Sequence, residues 1–381
     1  MKTLLPILLL SILFAWLTER TTEGTFGKGN RQSGTNKFLF LALLTTLVLP
    51  VGLRQEYNDT LAYINHFNNS PTLKGLLNSG GLELLGNPAF EIYTAIIRSF
   101  TDNYHIYLML PAVFVQYSFV TTIRRYSSSF TLGIGIYICL GTYLFSMAAL
   151  KQTIAMAILL FAVDALIARK NVRFYLLVFV AFLVHTYALV FLILPLFTVK
   201  PWSPRSLLVL LGAIYVMRNF NTVLEGFMEF ANESGKNVSS DEIIGVAGIN
   251  PIRVAVYSIP PLFALVFRRY LFADGTDREH NIIVNMSFIT LSIMSIGLVN
   301  AANMFGRMGQ YFEFGVICGL PWMLTKPFDK QSERLVSLIA ILCFAGYFCY
   351  ANLIQINFDA NYSRITVLEF LERILQELIF R

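Results

Sequence analysis

The chain has few charged residues for its length. Asp, Glu, Lys and Arg make up 14% of its 381 positions, against 56% hydrophobic residues. Globular domains carry about 25% charged residues, so this composition is typical of a polytopic membrane protein rather than of a soluble enzyme. The net charge of +6 does not indicate nucleic-acid binding, because the basic residues lie in short loops between apolar segments, where they set membrane orientation. We therefore expect a membrane protein with no nucleic-acid partner.

The sequence also lacks the short motifs of common catalytic and metal sites. It has no glycine-rich phosphate loop, no HExxH motif, no nucleophile elbow and no DxD motif in its polar segments. Its cysteines lie within apolar segments without the spacing of metal ligands, which predicts small core side chains. They are Cys139, Cys318, Cys343 and Cys349. We therefore expect no metal site and no other cofactor.

Apolar segments long enough to cross a bilayer recur along the chain. A span needs about 20 apolar residues. On this basis we predict an all-α polytopic membrane protein, a single integral membrane domain over residues 1–381, with about 11 transmembrane or re-entrant helices plus outer amphipathic helices. No cleavage site follows residues 1–17, so we expect the first helix to remain, with its N-terminus outside. Further helices are predicted at 38–53, 104–122, 129–149, 152–168, 206–217, 254–267, 281–301, 308–325 and 335–354.

Three longer segments are predicted on the outer side of the membrane. The first covers residues 54–103, the second 218–253, and the third is the tail, 356–381. Residues 89–100 and 364–380 have the apolar periodicity of helices that lie flat on a membrane surface.

The apolar run from Phe174 to Leu196 decides the predicted topology. A single crossing would place the basic clusters at Lys200, Arg268 and Lys326 outside, against the positive-inside rule. We therefore predict that the run bends near His185 and returns to the side on which it began. Non-helical backbone at this depth is tolerated only beside protein or a water-filled cavity. The prediction places His185 at a turn that is in contact with water on the outer side of the membrane.

Four basic residues lie at the predicted outer ends of helices: Arg54, Lys151, Arg253 and Arg307. Their helical neighbours are apolar, so each either anchors its helix at the interface or belongs to an anion site. Arg307 favours the second interpretation, because Gly306 and Gly309 leave room around its side chain. Guanidinium groups suit phosphate, because two parallel donors meet two oxygen atoms.

Candidate acid–base groups accompany these cations. Asp59 follows Arg54 closely, and Glu91 lies in the next amphipathic segment; each is either a general base toward a hydroxyl group or an ion-pair partner. His185 is either a core hydrogen-bonding group or a proton-handling group, and the predicted wet turn favours the second role. The other histidines show no shared spacing and receive no role: His66, His105 and His280.

Five segments, in this order, resemble those of the EpsG family of exopolysaccharide polymerases, which is related to the Wzy-type polymerases of O-antigen and capsule. They are VGLRQEYNDTLAYINHF, NPAFEIY, LKQTIAMAILLFA, VAFLVHTYALVFL and MFGRMGQYFE. They match an Arg–Asp–Tyr–Phe series, an acidic block, an Arg-Gln helix start, a His block and an Arg–Tyr motif. Two positions depart from the pattern: Lys151 stands where the family usually has Arg, and no Gly precedes Asp59.

The resemblance implies a multi-pass glycosyltransferase of the bacterial cytoplasmic (inner) membrane. It would join polyprenyl-diphosphate-linked oligosaccharide units on the outer face, and the further partners that the resemblance implies are membrane lipid and a chain-length regulator protein. The resemblance implies that Arg54, Lys151, Gln152 and Arg307 contact the diphosphate and that Tyr63 and Tyr311 contact sugar. The implied catalytic residues are Asp59 or Glu91 as the base and His185 as an orienting or proton-handling group.

Two other functions remain open at this point. One is a transporter or flippase that moves the lipid-linked oligosaccharide, and the other is an O-antigen-ligase-like transferase that uses the same donor. A transporter is expected to contain two related halves with paired broken helices. The sequence indicates one broken helix, which favours an enzyme.

Overall fold

The computed structural model describes residues 1–21, 36–79, 82–233, 248–273, 277–299 and 303–380. These residues are helical apart from connections and one two-stranded antiparallel sheet, so the predicted all-α class is confirmed. In chain order the elements are α1 (Leu4–Thr21), α2 (Lys37–Gly52), β1 (Arg54–Glu56), α3 (Thr60–Asn69), α4 (Leu73–Ser79), α5 (Pro88–Phe100), α6 (Tyr104–Tyr126), α7 (Phe130–Cys139), α8 (Thr142–Ala148), α9 (Leu150–Ile167), α10 (Asn171–Val184), α11 (Pro204–Arg218), α12 (Phe220–Glu233), α13 (Pro251–Val266), α14 (Arg268–Leu271), α15 (Arg278–Ile296), α16 (Asn303–Gln310), α17 (Phe314–Thr325), α18 (Lys330–Cys349), α19 (Phe358–Asn361), β2 (Ser363–Arg364) and α20 (Val367–Phe380). Short 3₁₀ and π segments are Leu84–Gly86, Thr186–Phe197 and Tyr350–Gln355.

Fewer of the described helices are long and apolar enough to span a membrane than the predicted count requires. By length and composition, four described helices qualify: α1, α6, α9 and α18 with its π-helical extension. The number rises to six if two bent pairs each count as one span, α7 with α8 at 47° and α11 with the start of α12 at 93°. A membrane protein therefore fits, but the predicted count of about 11 is not confirmed. Several other apolar helices have only 10–17 residues.

Two predicted helices are each divided in the structure. The helix predicted at 129–149 breaks at Gly141, whose φ of 87° lies in the left-handed region that a residue without Cβ enters at little cost. The helix predicted at 308–325 is α16 followed by α17. Between them Tyr311, Phe312 and Glu313 donate backbone hydrogen bonds three residues back, which is the tighter winding of a 3₁₀ turn. Both breaks depend on local backbone geometry that apolar periodicity does not report.

The described chain folds as two compact units. The first contains residues 1–161, 179–186 and 334–381, and the second contains 162–178 and 187–333. In the first unit the tail returns to the end of α2. There β2 pairs with β1, Arg54 lies opposite Arg364, and the Tyr362 hydroxyl donates to the Pro50 carbonyl at 2.8 Å. This pairing fixes the backbone on which Arg54 lies.

The predicted outer segments contain the expected short helices. Residues 54–103 hold β1 and α3 to α5, and α5 confirms the helix predicted at 89–100. Helix α20 confirms the helix predicted in the tail, where Glu377 accepts a 2.7 Å hydrogen bond from the Thr101 hydroxyl. Residues 218–253 hold α12, and residues 234–247 of that segment lie outside the described residues.

Helix α15 is the centre of the second unit, and α11, α13, α16 and α17 pack around it. The closest approach is at Gly315 of α17, where an added Cβ would lie 2.4 Å from the Ser287 backbone nitrogen. A contact under 3 Å to backbone cannot be relieved by a side-chain movement. A glycine is therefore required here for α17 to pack against α15.

The segment between α9 and α11 begins and ends on one side of the second unit. The Arg278 Nε atom donates to the Leu166 carbonyl at 2.9 Å, and the Lys200 Nζ atom donates to the Phe272 carbonyl at 3.3 Å. The connection from Phe272 to Arg278 spans at most about 20 Å when fully extended, less than a hydrocarbon core of about 30 Å. Leu166 and Lys200 therefore contact the two ends of one short connection, and we expect them on the same side of a membrane.

The apolar run between these two positions changes its winding at His185. The α-helix α10 ends at Val184, and a 3₁₀ helix, Thr186–Phe197, follows. At 1.5 Å and about 2.0 Å per residue, the two arms are about 21 and about 24 Å long. The predicted interruption of the helix at His185 is confirmed, and the return of the run to the side on which it began stays a prediction.

This topology gives a first prediction, which is tested by chemical labelling. We expect Lys200→Cys and Arg269→Cys, in a background without the native cysteines, to react with a membrane-impermeant maleimide from the same side of the membrane. The reason is the shared location of Lys200 and Phe272. Labelling of intact cells and inverted vesicles measures it, and permeabilised cells control for reactivity. Labelling of the two positions from opposite sides would contradict the arrangement.

Candidate functional site

Three ionisable side chains meet in the first unit. The Glu91 carboxylate, in the first turn of α5, lies 3.5 Å from Lys151 Nζ through one oxygen and 3.1 Å from His66 Nε2 through the other. Lys151 lies in the first turn of α9 and His66 near the end of α3. All three side chains are a quarter to a third exposed. The site is therefore built from the ends of three different helices and is open to solvent.

An aromatic cluster lies beside this group. The Lys151 ammonium is 4.7 Å from the centre of the Phe90 ring, and the His66 ring stacks on Phe90 at 6.0 Å. Tyr63 meets the same ring edge-on at 6.2 Å. The buried neighbours of Phe90 are Ile64, Phe67, Tyr107, Leu108 and Leu150. A cation over an aromatic face gains about 0.5–2 kcal/mol, so Phe90 helps to hold Lys151 in place.

The environment of Glu91 holds its carboxyl group in the ionised form. Burial alone would raise its pKa, but the hydrogen bond and charge of His66 and the charge of Lys151 outweigh burial and lower the pKa below its ordinary value of 4.5. A carboxylate with a lowered pKa is a weaker base. Glu91 is therefore suited to orienting Lys151 and His66 more than to accepting a proton.

Arg54 is fully buried just beyond the end of α2. Its Nε atom donates to the Thr60 hydroxyl at 3.0 Å, and Nη1 donates to the Val51 carbonyl. Among the described residues, Nη2 has no hydrogen-bond partner. Burial lowers the pKa of Arg54 from 12.5 to about 10, so the group remains charged at neutral pH. A buried guanidinium without a carboxylate partner is costly unless an anion completes its hydrogen bonds.

Asp59 and Tyr63 belong to the same part of the first unit. Asp59 is half-buried directly before α3, and its side chain does not cap that helix. Tyr63 lies against the backbone of Lys151, and burial followed by the charge of Asp59 raises the pKa of its hydroxyl group. Gln152, next to Lys151, is 2% exposed. The structure thus brings together five predicted site residues around α3 and the start of α9, namely Arg54, Asp59, Tyr63, Lys151 and Glu91.

Thr186, the residue after His185, is hydrogen-bonded to the residue that precedes α5, the helix that carries Glu91. The Thr186 backbone nitrogen and hydroxyl lie 3.2 and 3.3 Å from the Asn87 Oδ1 atom. Asn87 directly precedes α5 and has a φ of 61°, in the left-handed region. Its backbone carbonyl accepts the hydrogen bond of the Glu91 amide. Asn87 therefore links the break at His185, which is half-buried, to the position of Glu91.

This link predicts a specific effect of Asn87→Gly. Glycine keeps the left-handed backbone and removes the side chain, so the variant isolates the hydrogen bonds to Thr186. We expect the free energy of unfolding to fall by about 1 kcal/mol, the effect of the lost hydrogen bonding, as measured by denaturant unfolding in detergent. Asn357→Gly, at another left-handed asparagine, is the matched control and should leave the free energy of unfolding unchanged. Equal stability of both variants would show that the contact of Asn87 with Thr186 does not stabilise the fold.

The remaining predicted residues belong to the second unit. Arg307 is exposed on α16, and Tyr311 is buried just after it. The expectation that Gly309 leaves room for Arg307 is wrong, because a Cβ at Gly309 would lie 2.7 Å from the Met294 side chain and 3.3 Å from the Thr290 carbonyl. This glycine allows α16 to approach α15. Its role is helix packing.

Arg253 has an internal partner in the second unit. Its Nη2 atom lies 3.6 Å from a carboxylate oxygen of Glu313, which is fully buried and also accepts a hydrogen bond from the Tyr257 hydroxyl. The Arg253 guanidinium lies 5.7 Å from the centre of the Tyr257 ring. These contacts balance the buried charge of Glu313. Arg253 is therefore an ion-pair partner of Glu313, and neither of the two interpretations from the sequence, an interface anchor or an anion site, describes it.

Sequence reasoning missed two residues of the first-unit site. His66 lies three residues after Tyr63, and that spacing places both on one face of a helix, so the sequence contained a usable signal. Asn87 precedes a proline at a helix start, which indicates a helix boundary. Its bonds to Thr186 join residues 99 positions apart, and no local pattern predicts such a contact.

The fold and this site define a helical membrane protein that presents cations and carboxylates from the ends of its helices. In the part of the chain that the structure describes, no three His, Cys, Asp or Glu side chains are grouped so as to hold a metal ion. The chain belongs to the EpsG family, whose model matches residues 37–364, most of its length. This is a family of Wzy-type polymerases, and membership supports a general role in polysaccharide polymerisation at a bacterial membrane. No curated protein and no solved structure matches the chain.

Proposed function

We propose that this protein joins oligosaccharide repeat units carried on polyprenyl diphosphate, at the outer face of the bacterial inner membrane. The observation that carries the proposal is the buried Arg54 guanidinium, whose Nη2 atom lacks a partner among the described residues. Such a group is stabilised by a bound anion, and a diphosphate supplies oxygen atoms in the geometry that a guanidinium prefers. Lys151 adds a second cation in the same unit.

The proposed reaction transfers the growing sugar chain from its lipid carrier to a hydroxyl of the next unit. The hydroxyl oxygen attacks the anomeric carbon, and the bond from that carbon to the diphosphate oxygen breaks. The hydroxyl proton passes to Asp59, and the lipid diphosphate leaves with the bonding electrons. Arg54 and Lys151 stabilise the negative charge that develops on the leaving diphosphate. Gln152 is proposed as a further diphosphate contact, and the diphosphate contact predicted for Arg307 stays a prediction.

Glu91 and His185 are proposed to act on the other groups of the site. Because both oxygen atoms of the Glu91 carboxylate already contact Lys151 and His66, Glu91 is proposed to orient these two side chains, and Asp59 is proposed as the base. His185 is proposed to orient substrate or handle protons at the break between α10 and the following 3₁₀ helix. Tyr63 is proposed to stack on a sugar ring, which aromatic side chains bind through their apolar faces, and the sugar contact predicted for Tyr311, which is buried in the second unit, stays a prediction.

The products would be exported polysaccharides of the exopolysaccharide, capsule or O-antigen kind, and a chain-length regulator is a proposed partner. A ligase-like enzyme would use the same donor but would transfer a finished chain to a different acceptor. A flippase would bind the same lipid-linked substrate without forming a glycosidic bond. These alternatives differ in where single units accumulate and in whether long chains form.

The test uses Asp59→Asn, which removes the proposed base and keeps the size of the side chain. With purified lipid-linked repeat units and membranes that contain the variant, we expect long polymer to fall about 10²- to 10⁴-fold, the usual contribution of a general base. Single lipid-linked units should still reach the outer leaflet. Gel separation of the products and periplasmic labelling of the units measure both quantities.

The matched control is Asp102→Asn, a second acid of the same outer segment, which pairs with Arg98 one helical turn away. It should leave polymer length and yield unchanged. Single units that accumulate on the inner leaflet of the Asp59→Asn strain would indicate a flippase. If the Asp59→Asn variant makes polymer of wild-type length and yield, Asp59 is not the base.

A further inference from the structure

A second concentration of positive charge lines a pocket of about 530 Å³ in the second unit. Lys200 comes from the connection before α11, and Arg268 and Arg269 come from α14. Of the described residues that line the pocket, none is acidic. The other lining residues that matter here are Trp202, Ser203 and Phe272.

The wall of this pocket is held in a defined position. Trp202 has a φ of 58°, which is rare for a bulky residue and persists only where its surroundings impose it. Its indole N–H donates to the Pro261 carbonyl at 3.0 Å, and its ring meets Phe288 edge-on at 4.8 Å. The Lys200 Nζ atom donates to the Phe272 carbonyl at 3.3 Å. These contacts join two separate connections into one concave surface.

The start of α11 adds to the positive potential of the pocket. Ser203 lines the pocket and directly precedes this 15-residue helix, and its side chain does not cap the first amides. A helix N-terminus carries about half a positive charge and free N–H groups, both of which favour anions. Three cationic side chains and one helix terminus therefore act on the same volume.

Basic residues in short loops of membrane proteins usually serve to set orientation. That role requires only that the residues lie on one side of the membrane. It does not require a pocket, a tryptophan in a left-handed conformation, or cations from two connections that line the same cavity. The apolar faces of Trp202 and Phe272 beside the cations also match a ligand with both a phosphate and an apolar part.

We propose that this pocket binds a phosphate group, supplied either by the headgroup of an anionic phospholipid or by free phosphate. Basic pockets between membrane helices on the side that carries the positive loops have the chemistry that recognises such headgroups. Guanidinium groups of Arg268 and Arg269 would contact the phosphate oxygens in pairs. Arg54, Asp59 and Lys151 are not among the residues that line the pocket, so the proposal does not depend on the polymerase function.

The test compares lipid binding by the full-length protein and by the triple variant Lys200→Gln, Arg268→Gln, Arg269→Gln. Both are purified in phosphatidylcholine discs with or without phosphatidylglycerol, and a further sample receives inorganic phosphate alone. Native mass spectrometry counts the bound phosphatidylglycerol, and thermal unfolding reports stabilisation. We expect about 100-fold weaker binding by the triple variant, from about fivefold for each cation near an anionic surface.

The matched control removes the same amount of charge from exposed cations that do not line the pocket, Lys170→Gln, Arg173→Gln and Lys330→Gln. Binding of phosphatidylglycerol that is lost in the first variant and kept in the control supports a lipid headgroup as the ligand. If inorganic phosphate alone stabilises the wild type and the control against thermal unfolding but not the first variant, free phosphate is supported as the ligand. Equal loss in both variants, or no loss in the first, overturns the proposal. Arg268→Gln alone gives the same comparison if the triple variant does not fold.

Discussion

Arg54→Met is expected to abolish long polymer while the protein without substrate becomes as stable as the wild type or more stable. Methionine fills much of the same buried volume without a charge. Replacing a buried, incompletely paired ion by an apolar side chain is often neutral or stabilising, by about 1–4 kcal/mol. The hydrogen bonds that Arg54 gives to Thr60 and Val51 are lost and offset part of that gain. Polymer yield from lipid-linked units should fall at least about 10³-fold, because a charge that stabilises the leaving group is removed.

The measurement combines product length on gels with the thermal unfolding midpoint in detergent. Arg364→Met makes the same substitution at the residue opposite Arg54 in the β-pair, where the side chain is exposed, and should leave both quantities unchanged. Arg54→Lys separates charge from geometry, since an ammonium keeps the charge without paired donors. A large fall in stability of Arg54→Met would mean that the guanidinium has a structural role, and the anion site would then lose its main support.

Glu91→Gln is expected to lower polymer yield about 10²-fold through misplacement of Lys151 and His66. The amide keeps the shape of the side chain but removes the charge that holds the Lys151 ammonium at 3.5 Å and the His66 ring at 3.1 Å. A cation that stabilises developing charge must be positioned before the reaction. The loss should appear mainly in the turnover rate, because substrate binding retains Arg54.

The pH dependence of stability gives an independent measurement on the same variant. The folded-state pKa of Glu91 lies below its ordinary value of 4.5, so its contribution to stability is fully present above about pH 4.5 and is lost as pH falls through the lower folded-state pKa. The difference in unfolding midpoint between wild type and Glu91→Gln should therefore shrink as the pH falls below about 4.5. Glu83→Gln, at an exposed acid of the same outer segment, should show no such change. A constant difference for Glu91→Gln would contradict the ion-pair role.

Much of the first-unit site is predictable from sequence because its residues follow recognisable segments. Arg54 and Asp59 come directly after an apolar helix, and Lys151 begins the next suitable one. The break at His185 was predictable because a single crossing would have violated the positive-inside rule. By contrast, the predicted count of about 11 spans is not confirmed, since apolar periodicity cannot distinguish a full crossing from a short or broken helix that packs inside the protein.

The sequence by itself determined the class of this protein and its membrane-bound character, because hydrophobic content and loop charge act through the bilayer, whatever the packing of the helices. It also determined the family, through short segments in a fixed order. Only the tertiary structure decided which charges meet. The contacts of Glu91 with Lys151 and His66, and of Thr186 with Asn87, join distant parts of the chain, and such contacts depend on the packing of helix ends, which no local pattern specifies.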